Sequence, residues 1–149
     1  MENLKTKINA DLKTAMLTGD RERADILRGL KSAILNEEIA TKQRESGLGD
    51  EAIEKVVVRE IKKRDEAAEL YEKGGNAAAA DKERAEKEII KVYLPQQLSD
   101  EELVEIAEGA VAEAGDGAHM GKVIGAVKAK VGNRADGARV AAAVQKAMK

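Results

Sequence analysis

The chain has 149 residues, 43% hydrophobic and 36% charged, with 26 Lys and Arg against 28 Asp and Glu and a formal net charge of -2. This is enough apolar material for one ordinary domain or two small ones, and it excludes a chain too polar to fold. Cysteine is absent and Tyr71 and Tyr93 are the only aromatic residues, which removes disulfides, thiolate metal sites, a cysteine nucleophile and an aromatic core.

An alanine-rich, charge-rich chain with a single proline predicts helix, and no strand alternation occurs anywhere. Leu4, Ile8 and Leu12 repeat at helical spacing, and Gly19 followed by Asp20 marks the end of one helix and the start of the next. The second helix turns Leu27, Leu30 and Ile34 inward and is expected to run to the breaker "ESGLGD" at 45–50. Asp50 opens a third helix carrying Ile53, Val57 and Ile61 through to Tyr71, and Gly74 and Gly75 stop it. A fourth helix covers "AAAADKERAEKEIIKVYL", with Ala85, Ile89 and either Val92 or Tyr93 on its apolar side.

Pro95 forces Leu94 out of helical geometry, which places a domain boundary here: 1–94 as a bundle of about four helices, 95–98 as a hinge, and 99–149 as a small three-helix domain. The restart is strongly marked. Ser99 and Glu102 have the spacing of a capping box, and Leu98 and Leu103 that of a hydrophobic staple. Three short helices follow, at roughly 100–114, 119–131 and 136–148, joined by "GDGA" and "GNRA". The fold class expected is therefore all-α.

The second of these helices contains two interior glycines, Gly121 and Gly125, each of which costs about 1 kcal/mol relative to alanine. On a helical wheel Met120, Val123, Ile124, Val127 and Val131 form one broad apolar stripe. Gly121, Gly125 and Ala129 recur every four residues on the other side as a ridge nearly free of side chains, with Lys122, Lys128 and Lys130 around it. Such a ridge admits the close approach of another backbone, either a second protein helix or the sugar-phosphate chain of a nucleic acid.

Charge along the chain favours a polyanion surface at this end. Residues 1–95 are balanced, and the segment from 96 to 118 carries acids from Asp100 to Asp116 and no base. From 119 onward Lys122, Lys128, Lys130, Arg134, Arg139, Lys146 and Lys149 face the single acid Asp136. In the last helix Val140, Val144 and Ala147 make the apolar stripe, and Arg139, Lys146 and Lys149 line up opposite as a basic stripe. Asp136 has the position of an N-cap. The helix N-terminus it opens, beside Arg134, is a natural place for a phosphate, but Asp136 itself would repel one, which makes Arg134 the better contact candidate.

The chain resembles the free-standing GatB/YqeY-domain proteins, relatives of the tail of the aspartyl/glutamyl-tRNA amidotransferase B subunit. The resemblance covers essentially the whole length. It is carried by "LRGLKSAILNEEI", "KKRDEAAELYEKGG", "EIIKVYLPQQLSDEEL", and "MGKVIGAVKAK" with "RADG". It implies an all-helical, two-part fold and, by analogy with a tail that contacts tRNA outside the catalytic site, places Gly121, Lys122, Gly125, Lys128, Lys130, Arg134 and Asp136 at matching positions. Asn133 stands where the family usually has glycine, and Asn76 leads into Ala77–Ala80 where a charged residue is usual.

Taken together, these readings make Gly121, Lys122, Gly125, Lys128, Lys130, Arg134, Arg139 and Lys146 the candidate nucleic-acid-binding residues. The expected role is a non-catalytic accessory protein that binds tRNA or another structured RNA. A helical protein-interaction module without RNA binding is the alternative, and amidotransferase or tRNA synthetase components are the protein partners considered. No catalytic residue is assigned: His119 is the only histidine, Ser32, Ser46 and Ser99 lack a catalytic setting, and the large catalytic domain of the amidotransferase subunit has no counterpart. Any carbon-nitrogen ligase activity with glutamine as amido donor would be inherited from the multi-subunit enzyme. No metal or cofactor is expected, since one histidine makes no metal site and the acids from Asp100 to Glu113 scatter around a helix. With two tyrosines there is no stacking platform for single-stranded bases, and neither DNA specificity nor a membrane segment is expected. "MENLKTKINADLKTAM" has no apolar signal region, and a cytoplasmic location is expected.

Overall fold

Residues 3–149 are described in the computed structural model of the protein, and every regular element among them is helical. These are α1 (Leu4–Thr18), α2 (Arg21–Ala40), α3 (Asp50–Lys73), α4 (Ala77–Lys91), α5 (Asp100–Ala114), α6 (Met120–Val131) and α7 (Gly137–Ala147), with a 3-10 turn at Gly132–Arg134. The all-α class expected from composition holds. The chain divides into two compact units, one ending at Leu94 and one spanning Pro95–Lys149.

In the first unit α1 and α2 form a hairpin. Gly19 takes the left-handed conformation, φ 75°, that lets its own amide and that of Asp20 close back on Met16 and Ala15 carbonyls, and the Asp20 carboxylate then accepts from the Arg23 amide. Ile8, Leu27, Leu30, Ile34, Ile53, Val56, Val57, Ile90 and Tyr93 are buried together between the four helices. Full burial of one such aliphatic side chain contributes about 1.5–3 kcal/mol. Tyr93 closes this core and keeps its polar end satisfied, its hydroxyl donating to Asp11 at 2.6 Å.

Two sequence expectations for this unit need correction, and one open alternative is resolved. First, α2 ends at Ala40 instead of running to Glu45, because Lys42 adopts φ 58° and the Gln43 amide closes on the Glu38 carbonyl while Thr41 caps the Glu37 carbonyl. A lysine in that conformation gives no signal in the sequence. Second, Ala85 is exposed, and α4 instead turns Ala80 and Ile90 inward. Lys87 lies on that inward face and reaches Asp65 of α3 at 2.8 Å, so a charged residue interrupts the apolar periodicity. Of the pair Val92 and Tyr93, Tyr93 is the buried one and Val92 the exposed one.

Among the described residues one charged side chain is fully buried. Glu38 accepts from Lys5 Nζ at 2.7 Å and from the Leu48 amide at 3.0 Å, tying the segment after α2 to α1. The Lys5 ammonium holds its carboxyl below the usual carboxylate range. Desolvation pulls the other way, and the Leu48 amide reinforces the lowering.

The second unit is built around Leu98, Leu103, Ala107, Val123, Val127, Val131, Val140 and Val144. Its entry is the reciprocal capping box expected from sequence, with the Ser99 hydroxyl on the Glu102 amide and the Glu102 carboxylate on the Ser99 amide. Within residues 95–98, Leu98 is buried in this core and its amide donates to the Arg134 carbonyl, while the Gln97 side chain donates to the Pro95 and Asn133 carbonyls.

Candidate nucleic-acid interface

The α6 helix positions the glycine ridge. Its core face is Val123, Val127 and Val131, with Ile124 partly buried. Met120, expected on that stripe, is instead 41% exposed, because it is the first residue of the helix and lies at the rim of the core. The helix is capped by His119, whose Nδ1 accepts from the Lys122 amide at 3.2 Å. The only histidine is thus a helix cap.

At Gly125 the space that a Cβ would occupy has no atom within 4 Å, so the ridge is not used by the unit's own packing. At Gly121 the nearest atom is the His119 ring, at 3.4 Å. Lys122 and Lys128 flank this face, both exposed and without an ion pair among the described residues. Lys128 Nζ lies 3.5 Å from the Cβ position of Gly137, over the first turn of α7. The positive end of that helix is capped by the Asp136 carboxylate, which offsets part of the charge that Lys128 brings there.

After α6 the chain turns sharply at Gly132, whose φ of 54° is a left-handed value that glycine adopts without strain. Asn133 has no positive φ, so the turn is carried by Gly132 alone. The turn brings Asp136 to cap α7, accepting from the Arg139 amide at 2.8 Å, as the sequence position implied. Arg134 is exposed and close enough to α5 to help lower the pKa of Glu102, behind the larger effects of the Ser99 amide and hydroxyl.

The eight candidate residues therefore do not all lie free on one surface. Gly121, Gly125, Lys122 and Lys128 share α6 and the turn toward α7. Lys130 is paired with Glu113 of α5 at 3.2 Å. Arg139 is half-buried, its guanidinium bound to Asp100 at 2.9 Å and to the Leu98 carbonyl at 2.6 Å. The basic stripe expected along α7 is thus broken at Arg139, which fastens α7 to the start of α5. Lys146 is exposed, but nine residues beyond Gly137 it lies about 14 Å along α7 from the place where Lys128 ends. The sequence reading missed Gly137 as the neighbour of Lys128, because that contact joins two helices across the turn.

Among the described residues no group of three or more His, Cys, Asp and Glu is placed to hold a metal ion. No helix among them is long and apolar enough to cross a membrane.

Fold and surface together define the class: a two-unit, all-helical protein whose C-terminal unit carries a side-chain-poor helix face between exposed lysines. The family model described as Yqey-like protein matches residues 5–148, and the chain belongs to that family. None of the curated proteins compared with the chain matches it.

Proposed function

We propose that the C-terminal unit binds structured RNA, tRNA first, through the phosphate backbone, as a non-catalytic accessory protein of the cytoplasm related to the tail of the tRNA-dependent amidotransferase. The observation that carries this reading is the open face at Gly125 between Lys122 and Lys128. A helix face without side chains lets a sugar-phosphate chain approach the backbone, and the two ammonium groups then lie at its edges. Arg134 completes the cationic set, and Lys130 and Arg139 contribute less because each is already neutralised by an acid of α5. The absence of Phe and Trp from the chain directs recognition to backbone and shape rather than to stacked bases. Fluorescently labelled tRNA should bind weakly, with an affinity that falls steeply as salt rises. Binding that is insensitive to salt would instead favour packing of a partner helix on the glycine ridge.

A further inference from the structure

The groove between α1 and α2 of the first unit takes no part in the RNA reading, although it lies on the segment "LRGLKSAILNEEI". It is an open cleft of about 520 Å³ with a floor of Ile8, Leu12 and Ile34, and with Asn9, Lys31 and Ser32 among its walls. Along α2 the residues Arg28, Lys31, Leu35 and Ile39 fall on one helical line, and Lys42 stands two residues past the end of the helix. Leu35 and Ile39, at its centre, are 39% and 54% exposed. On α1, Met16 continues the line of Lys5, Asn9 and Leu12 and is 55% exposed. Apolar surface this exposed on two adjacent helices is unpartnered within the unit.

The charges around it are mainly basic: Arg28 and Lys31 line the cleft, and Lys42 and Arg44 stand beside Ile39 together with the acid Glu45. Lys31 and Lys42 make no ion pair among the described residues, and Arg28 pairs only with Asp25 on the neighbouring turn, in full solvent. Glu38, the acid of the groove, is buried and already held by Lys5 and the Leu48 amide, so it repels little. Lys31 stands one turn before Leu35, and Lys42 follows Ile39 just past the end of α2. A complementary occupant has an apolar middle one turn long and acids at both ends.

We propose that this groove docks an acidic amphipathic α-helix of a partner protein, with Leu or Ile side chains seated on Leu35 and Ile39 and carboxylates reaching Lys31 and Lys42. Two antiparallel helices leave a channel into which a third helix lays its apolar face. A nucleic acid backbone matches the lysines but has nothing to place on Leu35, Ile39 and Met16, and no aromatic residue lines the groove to stack a base.

The test uses the full-length protein, isotopically labelled for amide NMR, and three synthetic helical peptides of about four turns. One carries a Leu stripe with Glu in its first and last turns, one has those Glu changed to Lys, and one has the Leu changed to Gln. The acidic apolar peptide should shift the amides of Lys31, Ser32, Leu35 and Ile39, and the other two should not. Lys31→Glu combined with Ile39→Gln, both at exposed helical positions, should weaken that binding by about tenfold or more while circular dichroism and the melting curve stay unchanged. Equal shifts from the acidic and basic peptides, shifts confined to other residues, or no shifts at all would overturn the proposal. So would tRNA shifting the same amides with the same loss on mutation, since the groove would then be reading negative charge alone.

Discussion

Gly125 decides between a ridge left open for a partner and a ridge used for packing, and its replacement has a calculable effect. Glycine in a helix interior is about 0.8–1.0 kcal/mol worse than alanine, and leucine is within a few tenths of alanine. Nothing lies within 4 Å of the new Cβ, so no overpacking offsets that gain. Gly125→Ala and Gly125→Leu should therefore each stabilise the protein by somewhat less than about 1 kcal/mol, a rise in melting temperature of up to roughly 4–8 °C for a unit this small. Binding should separate them. A methyl group barely alters the ridge, but a leucine side chain holds a phosphate backbone away from Lys122 and Lys128. Each phosphate that is no longer neutralised lowers affinity by about eightfold at 0.1 M salt, from a slope near 0.9 per phosphate. Thermal melts and tRNA titration of the wild type and both variants provide the measurement. A loss of stability of several kcal/mol in Gly125→Leu, as overpacking produces, would instead make the ridge internal packing and exclude an open face.

Other expectations concern the frame that holds this surface. Glu38→Ala should cost about 2–3 kcal/mol by leaving the Leu48 amide unsatisfied, as measured by denaturant titration. Because the folded carboxyl is held below its ordinary value, its contribution is complete above the usual carboxylate range and is lost as pH falls through the depressed value; Glu38→Gln should flatten that acid limb. Tyr93→Phe removes the hydroxyl's bond to Asp11 and should cost about 1 kcal/mol in chemical denaturation. Burial first, and then Asp11, raise the phenol's pKa, so stability that is complete below about pH 10 should decline above it in the wild type and not in the variant. If residues 95–149 fold independently, that segment produced alone should keep its helical spectrum and a cooperative melt; a non-cooperative melt would show that it needs the preceding residues.

The helices were legible because their ends carry local chemistry: Gly19 with Asp20, Gly74 with Gly75, and Ser99 with Glu102 each identify a boundary without reference to the rest of the chain. Where the sequence misled, the cause was tertiary. Lys42 takes a left-handed conformation in a segment fastened by the buried Glu38, and Lys87 occupies the inward face of α4 because Asp65 waits across the interface. At the candidate site the open ridge could be read from the spacing of Gly121 and Gly125, since helical periodicity alone separates it from the valine stripe. The pairing of Lys130 and Arg139 with Glu113 and Asp100 could not, because those acids lie 17 and 39 residues away along the chain. A count of basic residues therefore overstates the charge left for a ligand.

Whether Lys122, Lys128 and Arg134 neutralise RNA phosphates is decided by titrating labelled tRNA with wild type and the triple alanine variant at several salt concentrations. The wild type should show a steep negative slope of log affinity against log salt, and the variant's slope should be shallower by about 2–3 units, roughly one for each phosphate that the three side chains neutralise. Identical affinities and identical slopes for the two proteins would contradict RNA binding at this surface.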